Sequence, residues 1–217
     1  MSNEDKAYRY LKQQIINGKY QPGHVLSENQ MCIKLNMSRT PVREAFKKLE
    51  NDGLLERDGQ ETRVTQVTLA ELKENYDLRS MLEVYALKKS FANFDQTRLN
   101  DFRLKFEKAL NDKDWTSYLE LDAQFHQYLT HSNDKSVLQK NLDLLKSQTN
   151  RMRYAIRDDQ RCMISSVDEL LQIIAAIKEN NQAKAVAQLN KHVKSVYDWE
   201  RIYLEQQNLN KEEKNHD

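Results

Sequence analysis

All four glycines (Gly18, Gly23, Gly53, Gly59) and both prolines (Pro22, Pro41) of this 217-residue chain lie in its first 59 residues. Glycine opens backbone conformations closed to other residues, and proline lacks the N–H that a helix interior needs and clashes with the preceding turn, so the two types punctuate a fold. The long remainder, rich in Leu, Lys, Glu, Gln and Ala, has neither, and reads as helices joined by short polar turns. The chain therefore divides near Val67 into a segment able to make tight turns and a helical one. Its length suits two small cores.

In the first segment, Ala7 to Asn17 reads as a helix stopped at Gly18, and Gln21-Pro22-Gly23 as the turn after it. Ser27 is an N-cap for a short helix over Glu28 to Leu35, and Ser38 caps another through Glu50. Residues 53–57 and 62–65 read as a hairpin turned at Asp58-Gly59. Helices followed by a hairpin make a winged helix-turn-helix.

The helix after Ser38 carries the chemistry. Val42, Ala45, Phe46 and Leu49 share one face, while Arg39, Arg43 and Lys47 recur every four residues on another. Such a stripe can be a solvated surface. Its place at the start of the second helix of a helix-turn-helix points instead to the DNA major groove, where Arg bonds guanine bidentately. The Ser38 and Thr40 hydroxyls and the amides of the helix start then face phosphates. Bulk charge gives no such hint, since residues 1–67 hold 11 basic against 9 acidic side chains.

Three stretches carry a resemblance: Tyr20 to Glu28 (Tyr-Gln-Pro-Gly-His-Val-Leu-Ser-Glu), Leu35 to Ala45 (Leu-Asn-Met-Ser-Arg-Thr-Pro-Val-Arg-Glu-Ala) and Leu49 to Leu55 (Leu-Glu-Asn-Asp-Gly-Leu-Leu). Together they resemble the GntR family of bacterial transcriptional regulators. The resemblance implies that Arg39 and Arg43 touch DNA, with Thr40 on the backbone and Gly59 at the wing tip. The chain departs from the family at Asn29, where many members have Arg, and in a less glycine-rich wing over residues 58–61.

Beyond Val67, polar joints delimit six helices, with capping boxes at Thr68 to Glu71 and at Ser166 to Glu169, the latter opening a helix through Glu179. Asp122 and His126 lie one turn apart on a stripe with Tyr118, Phe125 and Leu129, and His192 lies on the apolar face of Leu189, Val193 and Val196. Arg79 shares a face with Leu72, Tyr76 and Ala86, and a buried Arg needs an anion; an i,i+4 pair with Glu83 is the intrahelical alternative.

Asp77 to Glu83, Asp122 to His126, and Ile173 to Ile177 followed by His192 resemble the FCD subgroup of that family, a helical bundle around a ligand cavity. In that resemblance Asp122, His126 and His192 hold a divalent metal, Arg79 clamps the carboxylate of a small organic acid, and a further ligand His falls on Leu170. Two imidazoles and a carboxylate suit zinc, nickel or manganese with open positions. A hydrogen-bonded buried His pair partnered by Asp122 is the other reading.

The expected architecture is thus mainly α: a DNA-binding winged helix-turn-helix over residues 1–67 with a small β-hairpin wing, an all-helical effector-binding and dimerisation bundle over 68–209, and a frayed tail over 210–217. No apolar run nears the roughly 20 residues of a membrane span, the N-terminus lacks a signal peptide's apolar core, and Cys32 and Cys162 form no CxxC pair, so the cytoplasm is the expected compartment. The expected function is a homodimeric repressor on a palindromic double-stranded operator, modulated by a small carboxylate-bearing metabolite. Two alternatives are a metal-dependent hydrolase, which lacks an evident general base, and a DNA-binding protein whose bundle only dimerises.

Overall fold

A computed structural model describes residues 1–130, 136–156 and 159–214. By its internal contacts the chain forms two compact units: Met1–Thr68 with Ser147–Ala155, and Leu69–Lys146 with Ile156–Asp217.

The first unit begins with α1 (Asn3–Ile16), capped by Ser2. It continues through β1 (Val25–Leu26), α2 (Glu28–Leu35), α3 (Arg39–Asn51), β2 (Leu55–Asp58) and β3 (Glu61–Val64). Ser27 accepts from the Gln30 amide to start α2, and Asn36, left-handed at φ 51°, ends it. The strands form an antiparallel sheet in the order β1-β3-β2. A strand as short as β1 leaves no periodicity to read in a sequence, and its place follows from pairing Val25 with Arg63. The hairpin turns on Gly59 and Gln60, between the paired Asp58 and Glu61, one residue later than Asp-Gly suggests. Gly59 alone of the two has positive φ (61°), as a type II′ turn requires of its first central residue.

This unit closes over Ala7, Leu11 and Ile15 of α1, the Val42, Ala45, Phe46 and Leu49 face of α3, and Leu54 and Val64. The apolar stripe of α3 faces α1, so its basic stripe is turned outward.

The second unit is helical: α4 (Leu69–Ser90), a 3-10 turn (Phe91–Asn93), α5 (Gln96–Asp112), α6 (Trp115–Thr130), α7 (Val137–Ala155, shared with the first unit), α8 (Gln160–Lys178) and α9 (Gln182–Lys214). Asp95 caps α5 through the Arg98 amide. Lys113 (φ 53°) and Asn180 (φ 55°) take the left-handed conformation at the joints after α5 and α8, where glycine would be usual. Helix α8 opens at the Asp159 cap, seven residues before the capping box expected at Ser166. Ser166 lies inside the helix instead, where its hydroxyl accepts from Tyr118 at 2.7 Å, so a buried tyrosine claims the oxygen that would have capped. The joint read over Ser132 to Lys135 lies outside the described residues, and α9 runs to Lys214, into the segment read as a tail. Phe102, Phe106, Tyr118 and Phe125 form an aromatic cluster between α5 and α6, with ring centroids 5.1 to 6.4 Å apart. Among the described residues no helix is long and apolar enough to cross a membrane.

Phe46 is 1% exposed at the centre of the first core. Phe46→Ala is expected to cost about 3–5 kcal/mol there. Hydrogen-exchange mass spectrometry, which reads each unit separately, should find α1 and α3 deprotected with α6 and α8 unchanged; an unchanged α3 would show that the ring does not hold this core.

Candidate functional site

Two groups of side chains stand out, one exposed on the first unit and one buried in the second. Ser38, Arg39, Thr40, Arg43, Lys47 and Gly59 are all exposed. Ser38 holds the N-cap position of α3 but makes no side-chain capping bond, so its hydroxyl and the first amides of α3 offer donors to an anion. Arg43 leans on Glu28 of α2 (Nε to Oε2, 3.4 Å), and the same carboxylate lies 3.8 Å from Arg57 on β2. Lys47 pairs with Glu44 at 2.8 Å. Exposed pairs of this kind contribute at most about 1 kcal/mol, so a phosphate or base edge can replace them. Glu28 was legible only as a helix-start residue; that it connects α3 to the wing required the fold.

The buried group draws on four helices of the second unit. Helix α4 supplies Arg79 and Glu83, α6 supplies Asp122 and His126, α8 supplies Glu169 and α9 supplies His192; all are 5% exposed or less. Arg79 Nε donates to Glu83 Oε1 at 2.6 Å, so the intrahelical pair forms. The other Glu83 oxygen lies 2.9 Å from His126 Nδ1, and Glu169 Oε2 lies 3.1 Å from His192 Nδ1. An ionised carboxylate only accepts, so each Nδ1 carries the proton and each Nε2 presents a lone pair in the neutral ring. Those two Nε2 atoms face each other at 3.2 Å. The ring centroids are 5.2 Å apart, with planes inclined by 24°.

Two bare acceptors at that distance repel, so the pair requires a proton or a cation between them. Arg79 Nη2, 3.2 Å from His126 Nε2, supplies part of that positive charge. Asp122 Oδ1 is 3.6 Å from His126 Nε2, and the donor atoms of Asp122, His126 and His192 all lie within 4.8 Å of one another. A ligating His backed by a carboxylate on its other nitrogen is the usual support of a metal site, so this donor set fits a divalent ion. Leu170, where the resemblance puts a further His, is fully buried and offers no donor.

Burial opposes the charge of Glu83, but Arg79 and His126 outweigh it and hold its pKa well below the ordinary carboxylate value. Lys146, on α7, responds to the same charges. Burial pushes its ammonium pKa below the ordinary lysine value, with Glu83 pulling it up and Arg79 pushing it down. Sequence reasoning passed over Lys146, because a lysine amid Leu144, Leu145 and Ser147 has no periodic signature. Glu169 reads in the sequence as part of a cap, although its one-turn spacing to Ile173 marks it as inward-facing.

Residues 3–64 match the family model for bacterial regulatory proteins of the gntR family, and residues 74–195, over half the chain, match the FCD domain. The chain belongs to the GntR family, in its FCD subgroup. It is accordingly a DNA-binding transcriptional regulator and not an enzyme, which removes the hydrolase alternative. This GntR regulator is 25% identical over 193 residues to the HTH-type transcriptional repressor RspR of Escherichia coli K12, covering 87% of this chain and 85% of that one. It is 26% identical over 210 residues to the gluconate operon transcriptional repressor of Bacillus subtilis, covering 93% and 86%. Its fold is shared with a GntR regulator from Rhodococcus sp. RHA1 (TM-score 0.79, 23% identity, 92% and 98% covered) and with E. coli McbR/YncC (TM-score 0.76, 21% identity, 95% and 99% covered).

Glu83→Gln keeps the shape of Glu83 but leaves Arg79 without its counter-charge, and is expected to destabilise the FCD unit by about 3–5 kcal/mol at neutral pH. A depressed carboxylate pKa contributes stability above the unfolded-state value and loses it as pH falls. In chelator-containing buffer the gap in melting temperature between wild type and Glu83→Gln should therefore be full at neutral pH and close as pH drops below the ordinary value of 4.5. A gap constant from pH 7 to 3 would contradict the Arg79–Glu83 charge pairing.

Proposed function

We propose that this regulator is a homodimeric repressor whose grip on a palindromic operator is altered by a small carboxylate-bearing metabolite bound at the buried site of the FCD unit. The observation that carries the proposal is the meeting of the His126 and His192 Nε2 atoms, each ring backed by a glutamate, beside Asp122. Asp122, His126 and His192 would hold one divalent ion, zinc, nickel or manganese, and such an ion supplies a Lewis-acid anchor for effector oxygens.

The chain's own residues account for the rest. Glu83 and Glu169 orient the imidazoles through Nδ1. Three carboxylic side chains (Glu83, Asp122, Glu169) stand against the Arg79 guanidinium and the Lys146 amine, whose ammonium form burial disfavours, so the network accommodates further positive charge. Arg79, tied to Glu83, and Lys146 give the site the cations that an organic acid needs. Leu170 puts hydrocarbon where another donor would stand, so a bound ion would have coordination positions that the protein does not fill. A surface cleft of about 300 Å³ is lined by Lys191, Lys194 and Trp199 of α9 and by Glu169, the residue behind His192.

Repression is supported by the names of two relatives, and a carboxylate effector by the gluconate operon in one of them, gluconate being a polyhydroxy acid. On DNA, α3 would enter the major groove with Arg39 and Arg43 on base edges, Ser38, Thr40 and Lys47 on phosphates and Gly59 at the wing tip. Two copies would span half-sites about 34 Å apart.

Elemental mass spectrometry of protein purified without chelator or nickel resin should give near one divalent ion per chain, and His126→Ala and His192→Ala should each abolish it. A thermal-shift screen of small carboxylic acids should find stabilisation only with the ion present. If metal is absent and added ions leave the melt unchanged, the three residues are a hydrogen-bonded structural cluster and the metal reading fails.

The DNA reading has its own check. Arg43→Ala should weaken operator binding by about 1–3 kcal/mol while sparing random DNA. Lys47→Ala should weaken both alike and lower the salt slope by about one. Equal losses on operator and random DNA for Arg43→Ala would remove Arg43 from base readout.

A further inference from the structure

Helix α4 buries one face in its own bundle, through Leu72, Tyr76, Arg79, Glu83, Ala86 and Leu87. Its opposite face carries large apolar side chains left in solvent: Leu78 is 44% exposed, Met81 68% and Tyr85 57%. Single apolar residues on a surface are ordinary. These three fall on one line with the exposed Glu71, Glu74 and Lys88, and the positions 71, 74, 78, 81, 85 and 88 are spaced alternately by three and four residues. That is the spacing of a seam along which one helix lies against another.

The order of residue types along the seam selects the partner and its direction. Acids (Glu71, Glu74) stand at its N-terminal end, apolar groups (Leu78, Met81, Tyr85) at its centre, and bases (Lys88, Lys89) at its C-terminal end. Laid parallel against itself, the helix would set acids beside acids and bases beside bases. Laid antiparallel about a two-fold axis beside Met81, it sets Glu74 opposite Lys88 and Lys89, Leu78 opposite Tyr85, and Met81 against its own copy. The surface is self-complementary, the condition for an isologous interface. Lys73 and Asp77, which already pair with each other on the flank, add no charge to the contest.

We infer that the outward face of α4 is the surface by which two copies of this chain associate, antiparallel and centred on Met81. The inference deepens the two-copy reading above by naming the interface, and it is independent of which effector or metal the protein binds.

The test is a charge swap followed by sedimentation velocity, with the full-length protein at micromolar concentration. The pair Glu71→Lys and Glu74→Lys makes both ends of the seam basic, and the pair Lys88→Glu and Lys89→Glu makes both acidic. Each double variant should dissociate at a concentration at least about tenfold above wild type. Mixed in equal amounts, the two should recover a dimer, because each end then meets its opposite. Met81→Cys should form a disulfide-linked dimer under mild oxidation, while wild type treated alike should not. Four results overturn the inference: a monomeric wild type, double variants that dimerise like wild type, a mixture that fails to recover, or Met81→Cys that does not cross-link. Operator binding and effector-induced thermal shift, measured on the same proteins, separate the two proposals. A dimer indifferent to the swap that still binds palindromic DNA and a small acid refutes the α4 interface alone.

Discussion

The FCD unit is organised around two imidazoles that meet at Nε2 and are each fixed from behind by a buried glutamate. No single helix carries this arrangement. Glu83 and Arg79 come from α4, His126 and Asp122 from α6, Glu169 from α8 and His192 from α9, so satisfying the polar groups also sets the register of four helices against one another. A bundle held only by leucines and isoleucines tolerates sliding and repacking. Here a slide of one turn would leave a carboxylate or guanidinium buried without its partner, at a cost of several kcal/mol. The same network that specifies the packing is therefore the part of the bundle most sensitive to a change in charge at its centre.

The winged helix-turn-helix has no such polar centre. Its core is apolar, and the side chains that would reach DNA are held indirectly, through the burial of Val42, Ala45, Phe46 and Leu49 on the opposite side of α3. One unit thus holds functional groups inside, where their charges interact strongly, and the other holds them outside, where water screens them. That difference accounts for the depressed Glu83 pKa in the FCD unit and for the weak, replaceable ion pairs of Arg43 and Lys47.

The legible parts of the sequence were those with local causes. The cap at Ser27, the amphipathic face of α3 and the one-turn spacing of Asp122 and His126 all follow from residues within a few positions of each other. What escaped reading depended on distant partners. Strand β1 exists because Val25 finds Arg63, Ser166 is a hydrogen-bond acceptor inside a helix because Tyr118 reaches it, and Glu169 orients a histidine 23 positions further on. The outward seam of α4 was hidden for another reason: the helix is apolar on two sides, and only the packing of the bundle reveals which side stays in water.

The joints of the FCD unit have a consequence for its resilience. With no glycine after residue 59, the left-handed positions at Lys113 and Asn180 are occupied by residues that reach this conformation against a steric preference. Each is a place where the native backbone already suits glycine, and where selection has left thermal tolerance unclaimed. A bundle assembled this way sits below the stability its topology permits, and adaptation to a hotter environment would have its simplest starting points at these two turns, which lie outside the buried network.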